Sequence, residues 1–192
     1  VPCVDFLMSL DDTAGWEDLL TKWSIHYIMS GNILNIYELA RQNIMSATEN
    51  IEAYIKEEFQ WFHRHPELSY EEVETTKRIR ASLERAGIRI LKLPLSTGIV
   101  AEVGEGEPVV ALRADIDALP IEEQTDLPYR SENEGRMHAC GHDFHTASVL
   151  GAALLLKERE KELKGRVRLF FQPAEEAPGG AKVLMEAGAL RD

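Results

Sequence analysis

Gly165-Arg166-Val167-Arg168-Leu169-Phe170-Phe171-Gln172-Pro173-Ala174-Glu175-Glu176 reads as a buried strand that closes on two adjacent carboxylates. A glycine opens the run, a proline stops it, and the apolar residues between them are too few for a helix. Upstream, Phe144 to Leu163 places Leu150, Leu154 and Leu155 on one helical face; downstream, Ala181 to Ala187 predicts a shorter helix. A buried strand between helices indicates an α/β layered fold.

Further out the pattern continues. Ile51, Ile55, Phe59 and Phe62 predict a helix over 49–64, ended by Pro66, with His63 and His65 finishing and capping it. Ser69-Tyr70-Glu71-Glu72 fits a capping box and predicts a second helix over 70–86, through Val73, Ile79 and Leu83 to Gly87. Strands are expected over 88–93, 97–103 and 109–114, the last two joined as a hairpin by Gly104-Glu105-Gly106-Glu107-Pro108. Asp115 to His142 shows no periodic element, and a connection that long either carries function or is disordered.

Chemistry enters with Met137-His138-Ala139-Cys140-Gly141-His142-Asp143. Cys140 and His142, two apart on a glycine turn, can aim a thiolate and an imidazole at one point, as a divalent metal requires. Beyond the 166–172 strand, one of Glu175 and Glu176 can bind metal while its neighbour moves protons. Each half has a plain alternative: a buried structural thiol for Cys140, a solvated loop face for the glutamates. Together they favour hydrolytic metal chemistry. His138 and His145 flank the motif and would orient a ligand, bind substrate or simply pack. Asp115 and Asp117, two apart after a strand, either form a turn or hold a ligand or nearby backbone, and Asp143 stands beside His142.

The bulk composition narrows the classes. The 192-residue chain carries a net charge of −12, and its scattered Lys and Arg make no nucleic-acid surface. No stretch approaches the length of a membrane span, so neither nucleic acid nor membrane is an expected partner. With two cysteines, Cys3 in the N-terminal stretch and Cys140 beside histidines, a reduced, cytoplasmic protein is expected. Residues 1–44 differ in texture from the rest and read as an N-terminal extension or a non-native segment; 45–192 read as one domain, opening at Met45-Ser46-Ala47-Thr48-Glu49.

Four stretches carry a family resemblance: His63-Arg64-His65-Pro66-Glu67-Leu68-Ser69; Ala111-Leu112-Arg113-Ala114-Asp115-Ile116-Asp117-Ala118-Leu119-Pro120-Ile121; Met137 to His145; and Phe171-Gln172-Pro173-Ala174-Glu175-Glu176. With them, residues 60–192 resemble the N-terminal part of bacterial metal-dependent amidohydrolases of the aminoacylase/carboxypeptidase superfamily, which includes hippurate hydrolases, N-acyl-amino-acid amidohydrolases and auxin-conjugate hydrolases. The resemblance implies a layered α/β, zinc-peptidase-like (phosphorylase/hydrolase-like) catalytic domain, present only in part. It implies Cys140, His142 and Glu176 as metal ligands and Glu175 as general acid/base; Asp115, Asp117, His138, Asp143 and His145 are read from their positions alone as candidates to stand behind the ligands. Two divalent ions are implied, manganese or zinc, with cobalt or nickel as alternatives. The implied substrate is a small N-acyl amino acid or peptide-like amide, and the full-length enzyme is expected to be a homodimer or tetramer.

The family's two further ligand histidines and its lid and dimerisation domain have no counterpart in the sequence, so the chain is expected to be a fragment, inactive alone. Two rival readings stand beside this one: a catalytically incomplete metal-binding fragment, and a thiol-dependent protein built on Cys140.

Overall fold

The computed structural model describes residues 50–191. The expectations for residues 1–44 lie outside the described residues. Helix α1 spans 50–64, and α2 spans Val73–Arg85. Strands β1 (Arg89–Ile90), β2 (Ile99–Gly104) and β3 (Val109–Asp115) follow. Then come α3 (His142–Glu158), a 3₁₀ turn (Glu160–Glu162), β4 (Arg166–Gln172) and α4 (Gly180–Glu186). Among these residues no helix is long and apolar enough to cross a membrane.

The four strands form one mixed sheet in the order β1-β2-β4-β3. The strand read first from sequence is central: β4 runs antiparallel to β2 and parallel to β3. Its side chains alternate between two packed faces. Leu169 and Phe171 join Phe62, Ile79, Leu83, Ile99, Ala101 and Leu150 under the helices. Phe170 points the other way, with Val100 and Leu184. A strand buried on both faces satisfies its backbone by pairing on both edges, which explains its place between β2 and β3.

The expected β2–β3 hairpin does not form. Turn residues at 104–108 carry only local information, whereas the partner that separates the two strands arrives some sixty residues later. The strand expected over 88–93 is only two residues long. Leu93 and Leu95 donate their N–H groups to Leu91 and Leu93, so the ladder ends as the chain turns on itself.

Helix α2 begins at Val73, and the Ser69 capping box does not form. Ser69 Oγ donates instead to Asp117 Oδ2 at 2.6 Å, while the Glu67 carboxylate accepts the N–H groups of Glu74 and Thr75. The helix does end as expected, with Gly87 N–H on Glu84 O and Ile88 N–H on Leu83 O, a Schellman arrangement.

Because β3 and β4 are parallel, both end at the same sheet edge, where Asp115 pairs with Gln172. Asp117 and Glu175-Glu176 lie just beyond those ends. Helix α3 starts there too, across a glycine turn. This is the crevice beyond strand carboxyl ends where α/β folds collect ligands.

Candidate metal centre

Gly141 precedes α3 with φ of 99°, a left-handed conformation that a side chain would strain. That turn sets Cys140 just outside the helix and His142 at its first residue. His142 is buried, and its Nδ1 donates to the backbone oxygen of Asp117 at 2.9 Å. The proton on Nδ1 leaves Nε2 with a lone pair facing the crevice.

Three carboxylates converge on that nitrogen: Asp115 at 3.6 Å, Glu175 at 3.7 Å and Glu176 at 3.8 Å. Cys140, His142 and Glu176 each offer a ligand atom, all within 4.8 Å of one another, and so do Asp115, His142 and His145. Adjacent glutamates face one point because residues 173–179 form no regular strand, which would send them to opposite sides.

Asp117 organises this convergence. Its carboxylate accepts the N–H groups of Glu175 and Glu176, both at 2.9 Å, besides the Ser69 hydroxyl. Burial opposes the charge on Asp117, but His142, Ser69 and the two backbone donors outweigh it and hold its carboxyl well below the usual carboxylate range.

The residues present fit a cation. Burial, then Glu176, Glu175 and Asp115, push the Cys140 thiol up to about 12. Burial opposes a charge on His142, yet Asp117 and Asp115 outweigh it and raise its affinity for a proton. The same field that holds a proton there favours a divalent ion among a thiol, an imidazole and carboxylates.

The residues expected behind the ligands divide. Asp115 accepts from His145 Nδ1 at 2.6 Å, and Asp117 holds the loop as described. His138 is buried, and neither ring nitrogen has a hydrogen-bond partner. Burial lowers its proton affinity, to about 4, so it is neutral.

Asp143 pairs with His63, which does not cap α1. His63 is instead clamped between Asp143 Oδ2 at 2.7 Å and Glu123 Oε1 at 3.2 Å. Only His65 meets its expectation as a cap, its Nδ1 donating to Trp61 O at 2.7 Å. Both His63 nitrogens face carboxylates, so both carry protons. Burial opposes that charge, but Asp143 and Glu123 outweigh it and raise the pKa. The sequence offered no local sign of this clamp: Glu123 lies in the unpatterned stretch, and Asp143 is 80 positions from His63.

A titration consequence follows. The clamp's stability is fully present below the unfolded imidazole value of ~6.5 and is lost as pH rises through the higher folded value. His63→Gln should therefore lower the urea midpoint clearly at pH ~6 and much less at pH ~9. Equal losses at both would count against the imidazolium.

Residues 111–192 match the profile of Peptidase family M20/M25/M40. An N-acetylcysteine deacetylase of Bacillus subtilis (strain 168) is 61% identical over 131 residues, covering 67% of this chain and 34% of that protein. An N-acetyl-L-cysteine deacetylase of the same organism is 50% identical over 186 residues, covering 95% of this chain and 43% of that protein. The crystal structure of Bacillus subtilis YXEP, described as a dinuclear metal binding peptidase from the M20 family, superposes with a TM-score of 0.72 at 55% identity. That match covers 74% of this chain and 41% of the other. The chain thus spans less than half the length of these relatives.

Proposed function

We propose that this chain, which belongs to peptidase family M20/M25/M40, carries the acid/base half of a metal-dependent amidohydrolase active site. The observation that carries the reading is the meeting of Cys140, Glu175 and Glu176 around the free nitrogen of His142. Cys140, His142 and Glu176 would hold a divalent ion, and two ions per site accord with the dinuclear relative. A divalent ion there would polarise the scissile carbonyl and make a nearby water more acidic.

The rest falls to the chain. Glu175, whose side chain is 41% exposed, reaches the crevice without belonging to the ligand cluster. It takes a proton from the attacking water at its carboxylate oxygen and returns it to the leaving amine nitrogen. Asp117 fixes both glutamates through their backbone, and its carbonyl keeps the His142 lone pair inward.

The substrate class is N-acyl amino acids. The two similar deacetylases point to a small acyl group, an acetyl amide, as the first to try. The carboxylates of Glu176, Glu175 and Asp115 oppose a thiolate at Cys140 unless a cation shares the site, which disfavours the rival built on a nucleophilic thiol.

The test uses the complete protein. Chelator should abolish release of free amino acid from N-acetylcysteine and other N-acyl amino acids, and manganese, zinc, cobalt or nickel should restore it. Activity that survives chelation but not alkylation would return the thiol reading. No hydrolysis with any of these metals would leave the site a metal-binding centre alone.

A further inference from the structure

The turn between α1 and α2 contributes no group to the reaction, yet it grips the segment that does. Tyr70 (φ 68°) and Ala174 (φ 51°) are the non-glycine residues with positive φ among the described residues. Such conformations persist only where surrounding contacts over-determine them. Here each sits in one of two segments that hold each other. Ala174 immediately precedes Glu175.

Two bonds join the segments directly, and a third link runs through Asp117. Glu72 is fully buried, and its Oε1 accepts the Ala174 N–H at 2.7 Å. Tyr70 Oη donates to Pro178 O at 2.7 Å. Ser69 Oγ holds Asp117, which holds the Glu175 and Glu176 N–H groups. The gripped loop also closes tightly on itself: a Cβ at Gly180 would lie 2.0 Å from Pro173 O.

Glu72 is the N-cap residue of α2, yet its side chain makes no capping bond. Glu67 accepts the first-turn N–H groups instead. The Glu72 carboxyl, buried at the cost of its hydration, is spent on the loop rather than on its own helix.

We propose that Glu72 is a positioning residue which, with Tyr70 and Ser69, forms a strap that holds Ala174 in its left-handed conformation and so fixes where Glu175 points. The inference rests on the reading of Glu175 as the proton carrier. Released from Glu72, Ala174 relaxes to ordinary φ and swings the Glu175 side chain. A shift of about 1 Å at a reacting group is enough to cost ~10²-fold in rate.

The experiment compares Glu72→Leu, Glu72→Gln and Tyr70→Phe in the complete, metal-loaded protein. Its readouts are kcat, KM, metal content and amide hydrogen exchange in peptides covering 173–180. Glu72→Leu should lower kcat by ~10²-fold, with KM and metal content near wild type and exchange in those peptides faster. Glu72→Gln keeps an oxygen able to accept the Ala174 N–H, so it should restore most of kcat and the wild-type exchange rate. Tyr70→Phe should lower kcat a few-fold and loosen the same peptides.

Wild-type kcat and exchange in Glu72→Leu would overturn the proposal, and so would a Glu72→Gln loss as deep as that of Glu72→Leu. Should Glu72→Leu fail to fold, Tyr70→Phe, altered at an exposed side chain, decides: unchanged kcat and exchange overturn it. If the wild type hydrolyses no N-acyl amino acid, the functional reading fails, and the exchange arm still tests the strap.

Discussion

Glu175→Gln, introduced into the complete protein, should retain its metal and lose turnover by ~10²–10⁴-fold. The amide matches the carboxylate in size and keeps the backbone N–H that Asp117 accepts. It cannot take a proton from water. Because Glu175 is not among the Cys140, His142 and Glu176 atoms that lie within 4.8 Å of one another, removing its charge should leave those three groups in place. Glu176→Gln and Cys140→Ala provide the contrast: each should weaken metal retention, with activity partly returning in excess metal. Metal analysis beside steady-state kinetics separates the outcomes. Equal metal loss in all three variants would undo the assignment of Glu175.

Asp117→Asn should be more damaging to the protein than its near-isosteric change suggests. The carboxylate accepts three donors: the Ser69 hydroxyl and the Glu175 and Glu176 N–H groups. An asparagine offers one oxygen, and its amide N–H₂ would then confront a backbone N–H across a buried contact. Hydrogen bonds to a charged group contribute about 1.5–3 kcal/mol each, and an orphaned buried donor costs about as much again. A loss of about 2–4 kcal/mol in unfolding free energy is expected, together with a fall in metal affinity on the order of 10–100-fold. Urea denaturation and metal titration of the variant measure the two. A variant within ~0.5 kcal/mol of wild type would mean that the loop holds itself.

These expectations rest partly on what the sequence made legible. The run 166–172 emerged with its exact bounds, because a buried strand between glycine and proline carries its own punctuation. The end of α2 at Gly87 was equally local. Atoms of Cys140, His142 and Glu176 lie within 4.8 Å of one another, because each residue sits beside a turn that its neighbours spell out.

Long-range competition hid the rest. Ser69 had every local reason to cap α2 and was drawn 48 positions away to Asp117. His63 looked like a helix terminus and became the centre of a buried clamp between Asp143 and Glu123, partners that no spacing rule connects to it. The turn at 104–108 looked like a hairpin turn until β4 took the place between its strands. In each case a local preference lost to a partner that only the folded chain brings near.

That insertion also has a consequence for how the molecule comes into being. Strands β2 and β3 are both synthesised before the strand that lies between them, and β4 follows a seventeen-residue helix. A strand edge left without its partner is a template for association with other chains. The pairing of β4 with β3 sets Gln172 beside Asp115, and the loop that leaves β4 brings the Glu175 N–H to the Asp117 carboxylate.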